Sequence, residues 1–242
     1  MNGSGNGQGG GASAPAPTQQ LDTIQALRFI AAFAVVIVHS TFYTKERLAD
    51  ISLYDRGTNG VRLFFVISGF VMIASTLGLV DRPKAGVVFA VKRLIRIVPV
   101  YWVATLFKLA IMLIIPGAAL HAALDTDYIV KSFFFIPALN SDLKLYPVLG
   151  VGWTLNFEIF FYLLFTVTLL LRLDPIRFIA PILLVDAAAW YFVSPEWPIP
   201  AQFWANPIVL DFLAGMVIAR LWSRGRLLPS AVAWGAVGFG CL

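Results

Sequence analysis

Long apolar runs separated by short charged or proline-rich stretches dominate this chain. They cover Ile24–Tyr43, Val61–Val80, Ile97–Ile115, Trp153–Leu171, Phe178–Val193 and Ile208–Trp222, and a seventh begins near Leu227 and is still apolar at Leu242. Runs of this length, wound as helices, cross the hydrocarbon core of a bilayer. The pattern therefore predicts an all-α, polytopic transmembrane bundle with about seven spans. Because its last run is unfinished at Leu242, the pattern also predicts a C-terminally incomplete domain. Tyr128–Leu139 is apolar too, but its shortness and Pro137 predict a short or re-entrant segment rather than a crossing.

Charge orients the spans, because Lys and Arg concentrate in cytoplasmic loops. Thr44–Thr58 has Lys45, Arg47 and Arg56 against Glu46, Asp50 and Asp55, and so is neutral. Asp81–Arg96 has Arg82, Lys84, Lys92, Arg93 and Arg96 against Asp81 alone, a net +4. The first connection is then external, and the second connection and the N-terminus are cytoplasmic. If Tyr128–Leu139 does not cross, Arg172–Arg177 (net +1) and Arg220–Arg226 (+3) fall inside, and Ser194–Pro207 (−1) falls outside.

Composition agrees and narrows the chemistry. Hydrophobic residues make up 59% and charged residues 13%, about half the charge of a soluble domain. The net charge of +5 is accounted for by loop residues and calls for no nucleic acid. A single cysteine, Cys241, excludes an internal disulfide, and with only His39 and His121 no multi-histidine metal centre is expected. Residues 1–20, uncharged and rich in Gly, Ser, Ala, Pro, Gln and Asn, are expected to form a disordered cytoplasmic tail. With no basic segment before it, the first apolar run reads as a retained helix, residues 21–242 forming the membrane domain.

Ionisable residues within spans are costly and mark candidate function. Arg28 and His39 lie eleven residues apart in the first run, close to three turns, which puts both on one face about 16 Å apart. They suit the two ends of one long ligand; alternatively Arg28 snorkels to headgroups and His39 ties helices together. Arg93 and Arg96 in VKRLIRIVPVYW are helical neighbours, suited to phosphate through their forked donors or to plain topology anchoring. In GVRLFFVISGFVM, Ser68 and Gly69 permit close helix packing; Ser68 has no base beside it to make it a nucleophile. In GVGWTLNFEIFFYLLF, Thr154, Glu158 and Tyr162 share a face, where the carboxylate either orients an imidazole or a substrate hydroxyl, or pairs with a cation on a neighbouring helix. The topology sets Glu158 at the outer depth of His39, away from a basic cytoplasmic mouth. Asp186 and Asp211 are further acids within spans.

RFIAAFAVVIVHS, FFVISGF, RLIRIVPVYW and WTLNFEIFFYLLF occur in this order, and VLDFLAGMVIA follows. Together they resemble the membrane-bound acyltransferase 3 family, most of all its exopolysaccharide-acetylating branch, over Leu21 to Leu242. Thr154 stands where many members have serine, and the family usually has about ten spans. The resemblance implies a multi-pass O-acyltransferase of the bacterial inner membrane, moving an acyl group, in this branch acetyl, from acyl-CoA to a saccharide or lipid-linked saccharide hydroxyl. No permanently bound cofactor or metal is implied. His39 and Glu158 would be catalytic, with Arg28, Arg93, Arg96, Ser68, Thr154 and Tyr162 contacting substrate. The competing reading is a transporter or flippase of lipid-linked sugars using a His39/Glu158 proton relay; a third is a structural subunit of an export complex.

Overall fold

The computed structural model describes residues 17–49, 51–52, 57–76, 79, 82–115, 122 and 124–225, with side chains from Thr23 onward. These residues form eight α-helices: α1 (Pro17–Arg47), α2 (Thr58–Thr76), α3 (Ala85–Ile114), α4 (Thr126–Phe133), α5 (Trp153–Leu170), α6 (Pro175–Ala189), α7 (Ile199–Trp204) and α8 (Val209–Ser223). Five stretches are long and apolar enough to cross a membrane: Thr23–Arg47, Thr58–Thr76, Ala85–Ile114, Gly150–Leu170 and Pro175–Phe192. The Ile208–Trp222 run is carried by α8, whose 15 residues extend about 22 Å. The expected seventh span, His121 and residues 1–16 lie outside the described residues, and α1 begins within the stretch read as a tail.

Two helices start before their apolar runs: α1 at Pro17 rather than Ile24, and α3. The third span was expected from Ile97, yet α3 starts twelve residues earlier, at Ala85. Lys and Arg are good helix formers with stems long enough to reach water, so the basic segment is helix rather than loop. The Tyr128–Leu139 stretch is the eight-residue α4 followed by irregular backbone, about 12 Å of helix and too short to cross. Side chains hold it. Tyr101 Oη and Trp102 Nε1 of α3 donate to the Ser132 and Phe133 carbonyls (both 3.0 Å), and Ser132 Oγ accepts from the Val148 amide at 3.0 Å.

The described residues fall into two compact units: Phe64–Arg220, and the residues before and after it. In the first, α5 is central. Phe157, Phe161 and Phe165, spaced four apart, form a buried stripe. Phe65 of α2 meets two of these rings edge-on, at 5.9 Å from each. Phe212 of α8 stacks on Phe161 at 3.7 Å, and Phe203 of α7 stacks on Phe157 at 4.5 Å. Here α2 and α8 touch backbone to backbone: a Cβ at Gly69 would lie 2.1 Å from the Phe212 carbonyl oxygen, and one at Gly215 1.9 Å from that of Val66. Gly215→Ala is therefore expected to cost about 1–3 kcal/mol by overpacking, read as a lowered unfolding temperature in detergent. An unchanged temperature would contradict this close crossing.

α3 runs antiparallel to α5. Gly86 packs on Thr166 and Leu170, Phe89 on Tyr162 and Phe165, and Tyr101 on Gly152. Asp174 caps α6, accepting from the amides of Ile176 (3.1 Å) and Arg177 (3.0 Å), and pairs with Arg220 of α8. Burial raises its carboxyl pKa, but the Arg177 amide, Arg220 and the Ile176 amide outweigh burial and hold it below the usual carboxylate value.

In the other unit, α1 packs on the opening of α2. Ala31 is fully buried, and a Cβ at Gly60 would lie 2.6 Å from its carbonyl oxygen. One at Gly57 would lie 2.2 Å from Val38 Cγ2.

Candidate active site

The start of α3 presents one basic face. Lys84 closes the preceding turn with φ 62°, and from there Ala85, Val88, Phe89, Lys92, Arg93 and Arg96 recur at helical spacing. With Ser75 at the end of α2 and Arg82 in the turn, this face lines a cavity of about 530 Å³. Four cations and a hydroxyl around one cavity make a site for an anion with several oxygens. Arg82, Lys92, Ser75 and Phe89 join the two arginines that the sequence singles out. Arg82 and Lys92 are legible only as loop charge, and Phe89 as the residue four before Arg93. Ser75 carries no sequence signal, because its partner is 18 residues away.

Arg93 is the best-held cation. Its Nη2 donates to Ser75 Oγ at 3.2 Å, and its guanidinium carbon lies 5.2 Å from the Phe89 ring centre and 5.5 Å from that of Tyr162. Both distances are within cation–π range. Tyr162 is buried, and its hydroxyl donates to the Glu158 carboxylate one turn away. Among the described residues no Lys or Arg lies within ion-pair distance of Glu158. Glu158 was expected at the outer depth, apart from the basic mouth; instead Arg93 meets Tyr162, the side chain that holds it. The reason is the early start of α3: Arg93 sits in its third turn rather than at the entrance of a helix beginning at Ile97.

Arg96 lines the same cavity. Ser68 and Thr154 are half-buried, on α2 and in the first turn of α5, and neither hydrogen-bonds to the Tyr162–Glu158 pair. In the other unit, Arg28 and His39 are half-buried on the continuous helix α1, which preserves their shared stripe. At about 100° per residue, that stripe borders the face of Ala31, Ala34, Val35 and Val38 that packs on Gly57 and Gly60. The His39 ring stacks on Tyr43, one turn on, at 6.4 Å.

A family described as an acyltransferase domain matches residues 21–242. Among curated proteins, the exopolysaccharide production protein ExoZ of Rhizobium meliloti (strain 1021) is 37% identical over 188 residues, 76% of this chain and 56% of that protein. The chain thus spans little more than half the length of this relative. No solved structure matches.

Proposed function

The chain belongs to the acyltransferase 3 family, and from that premise we propose that it moves an acetyl group from cytoplasmic acyl-CoA to a hydroxyl of a cell-surface or exopolysaccharide sugar. The observation that carries this reading is the basic cavity joined through Arg93 and Tyr162 to Glu158. Coenzyme A has phosphates at one end of a long arm and the thioester at the other. Arg82, Lys92 and Arg96 offer charge-assisted donors to the phosphates, beside the Arg93 guanidinium. The polysaccharide acceptor is suggested by the similarity to ExoZ, an exopolysaccharide production protein. In this reading the protein sits in a bacterial inner membrane with its N-terminus and basic cavity facing the cytoplasm.

His39 is the proposed general base. It takes the proton from the acceptor hydroxyl as that oxygen attacks the thioester carbonyl; the carbon–sulfur bond breaks, and the thiolate leaves to regain a proton. Glu158, one oxygen of which is held by Tyr162 beside the basic cavity, keeps its other oxygen for a hydrogen bond from the bound donor. Arg28 on α1 is a further proposed contact of the donor.

Titration of the detergent-solubilised protein with acetyl-CoA tests the donor half of this reading. Acetyl-CoA is expected to bind, and inorganic pyrophosphate to compete with it. Binding that pyrophosphate leaves untouched would show that the phosphates are not gripped at the basic cavity, and absence of binding would remove acyl-CoA as the donor.

A further inference from the structure

A carboxylate without an ion pair among the described residues, level with a cluster of cations, poses a physical problem. The α3–α5 contacts descend one helix as they climb the other, from Gly86 against Leu170 to Tyr101 against Gly152. By that register Arg93 and Arg96 stand within about one turn of the level of Glu158. Opposite charges at one level of two packed helices attract, and a guanidinium fits a carboxylate with two parallel hydrogen bonds. Yet the Glu158 carboxylate is held by a tyrosine instead, and among the described residues it forms no ion pair.

We infer that Tyr162 is a positioning residue that keeps Arg93 and Glu158 apart, its ring taking the guanidinium and its hydroxyl taking the carboxylate. Each half of the arrangement is on view: Arg93 lies over the Tyr162 ring at 5.5 Å, and the opposite end of that ring donates to Glu158. Phe89 at 5.2 Å and Ser75 at 3.2 Å hold Arg93 from the other sides. The ring satisfies the cation without neutralising it, so Arg93 keeps its charge and its remaining N–H groups for an anion in the cavity. The hydroxyl satisfies one carboxylate oxygen and leaves the other for a ligand. Without the ring, Arg93 would close onto Glu158, and the cavity would lose a cation as the carboxylate lost its free oxygen. This inference rests on the reading of the cavity as the donor-phosphate site.

The test uses inorganic pyrophosphate as the probe, titrated calorimetrically into the solubilised full chain, with unfolding temperatures measured in parallel. Tyr162→Phe keeps the ring beside Arg93 but releases the Glu158 carboxylate from the hydroxyl, and is expected to bind more weakly than the parent and more tightly than Tyr162→Leu. Tyr162→Leu removes the ring and is expected to bind about ten-fold or more weakly, as a cation is withdrawn from the anion. Tyr162→Met fills the space with an unbranched chain and serves if the leucine variant does not fold. Adding Glu158→Gln to either is the decisive step. It removes the carboxylate that captures Arg93 and is expected to restore affinity to within about three-fold of the parent; a loss due merely to disturbed packing would not be restored. Parent-like binding by the leucine or methionine variant, or no restoration by Glu158→Gln, would overturn the inference. If the pyrophosphate series behaves as stated while acetyl-CoA does not bind, the acyl-CoA reading falls and the separating role of Tyr162 stands. A parent protein that binds neither overturns both.

Discussion

His39→Ala is expected to abolish measurable acyl transfer while leaving membrane insertion and acetyl-CoA binding intact. A positioned general base contributes about 10²- to 10⁴-fold to such a reaction, and the alanine variant should lose that factor. Of the two histidines in the chain, His39 is the one within an apolar span; it is half-buried on α1 and stacked on Tyr43. His121 falls between the apolar runs of the sequence, and His121→Ala is expected to transfer normally. Initial rates with labelled acetyl-CoA measure both. Undiminished transfer by a folded His39→Ala protein would remove this imidazole from the mechanism.

The second large effect is expected at the arginines. If Arg28, Arg93 and Arg96 only anchored topology, lysine would replace each of them, because the cytoplasmic bias counts both residues alike. A lysine keeps the charge but loses the planar fork and the stacking surface. At Arg93 the structure makes the loss specific: the guanidinium lies over Phe89 and Tyr162 while donating to Ser75, and an ammonium cannot do all of this at once. Losing one charge-assisted hydrogen bond costs about 1.5–3 kcal/mol, or roughly ten- to a hundred-fold in affinity. Arg28→Lys, Arg93→Lys and Arg96→Lys are each expected to insert with unchanged topology and to bind acetyl-CoA more weakly by about that factor. Unchanged affinity in all three would return these residues to an anchoring role.

What is legible in the sequence follows from how local each feature is. Apolar length is local, and the helices α2, α5, α6 and α8 fall where the runs place them. The pairing of Tyr162 with Glu158 is legible as well, since four residues on a helix are one turn. The beginning of α3 is not, because apolar length marks where a helix can enter lipid rather than where it starts winding. Arg93 and Arg96 read as helical neighbours, but they and Lys92 are polar and so fall outside the apolar run. That one boundary hides the most consequential contact, the meeting of Arg93 with Tyr162. Ser75, 18 residues before Arg93, is hidden for the same reason: its role exists only once α2 and α3 are packed. Gly69 is a middle case. FFVISGF marks close packing, but only the fold shows that its counterpart is Gly215 on α8.

The most direct test of the central claim is transfer itself. Proteoliposomes carrying the protein, supplied with acetyl-labelled acetyl-CoA and an exopolysaccharide fragment, are sampled for label on the saccharide and for free coenzyme A. The account predicts that both appear in equal amounts, and that neither appears with His39→Ala. Movement of the saccharide across the bilayer with no label attached would contradict it and identify a carrier instead.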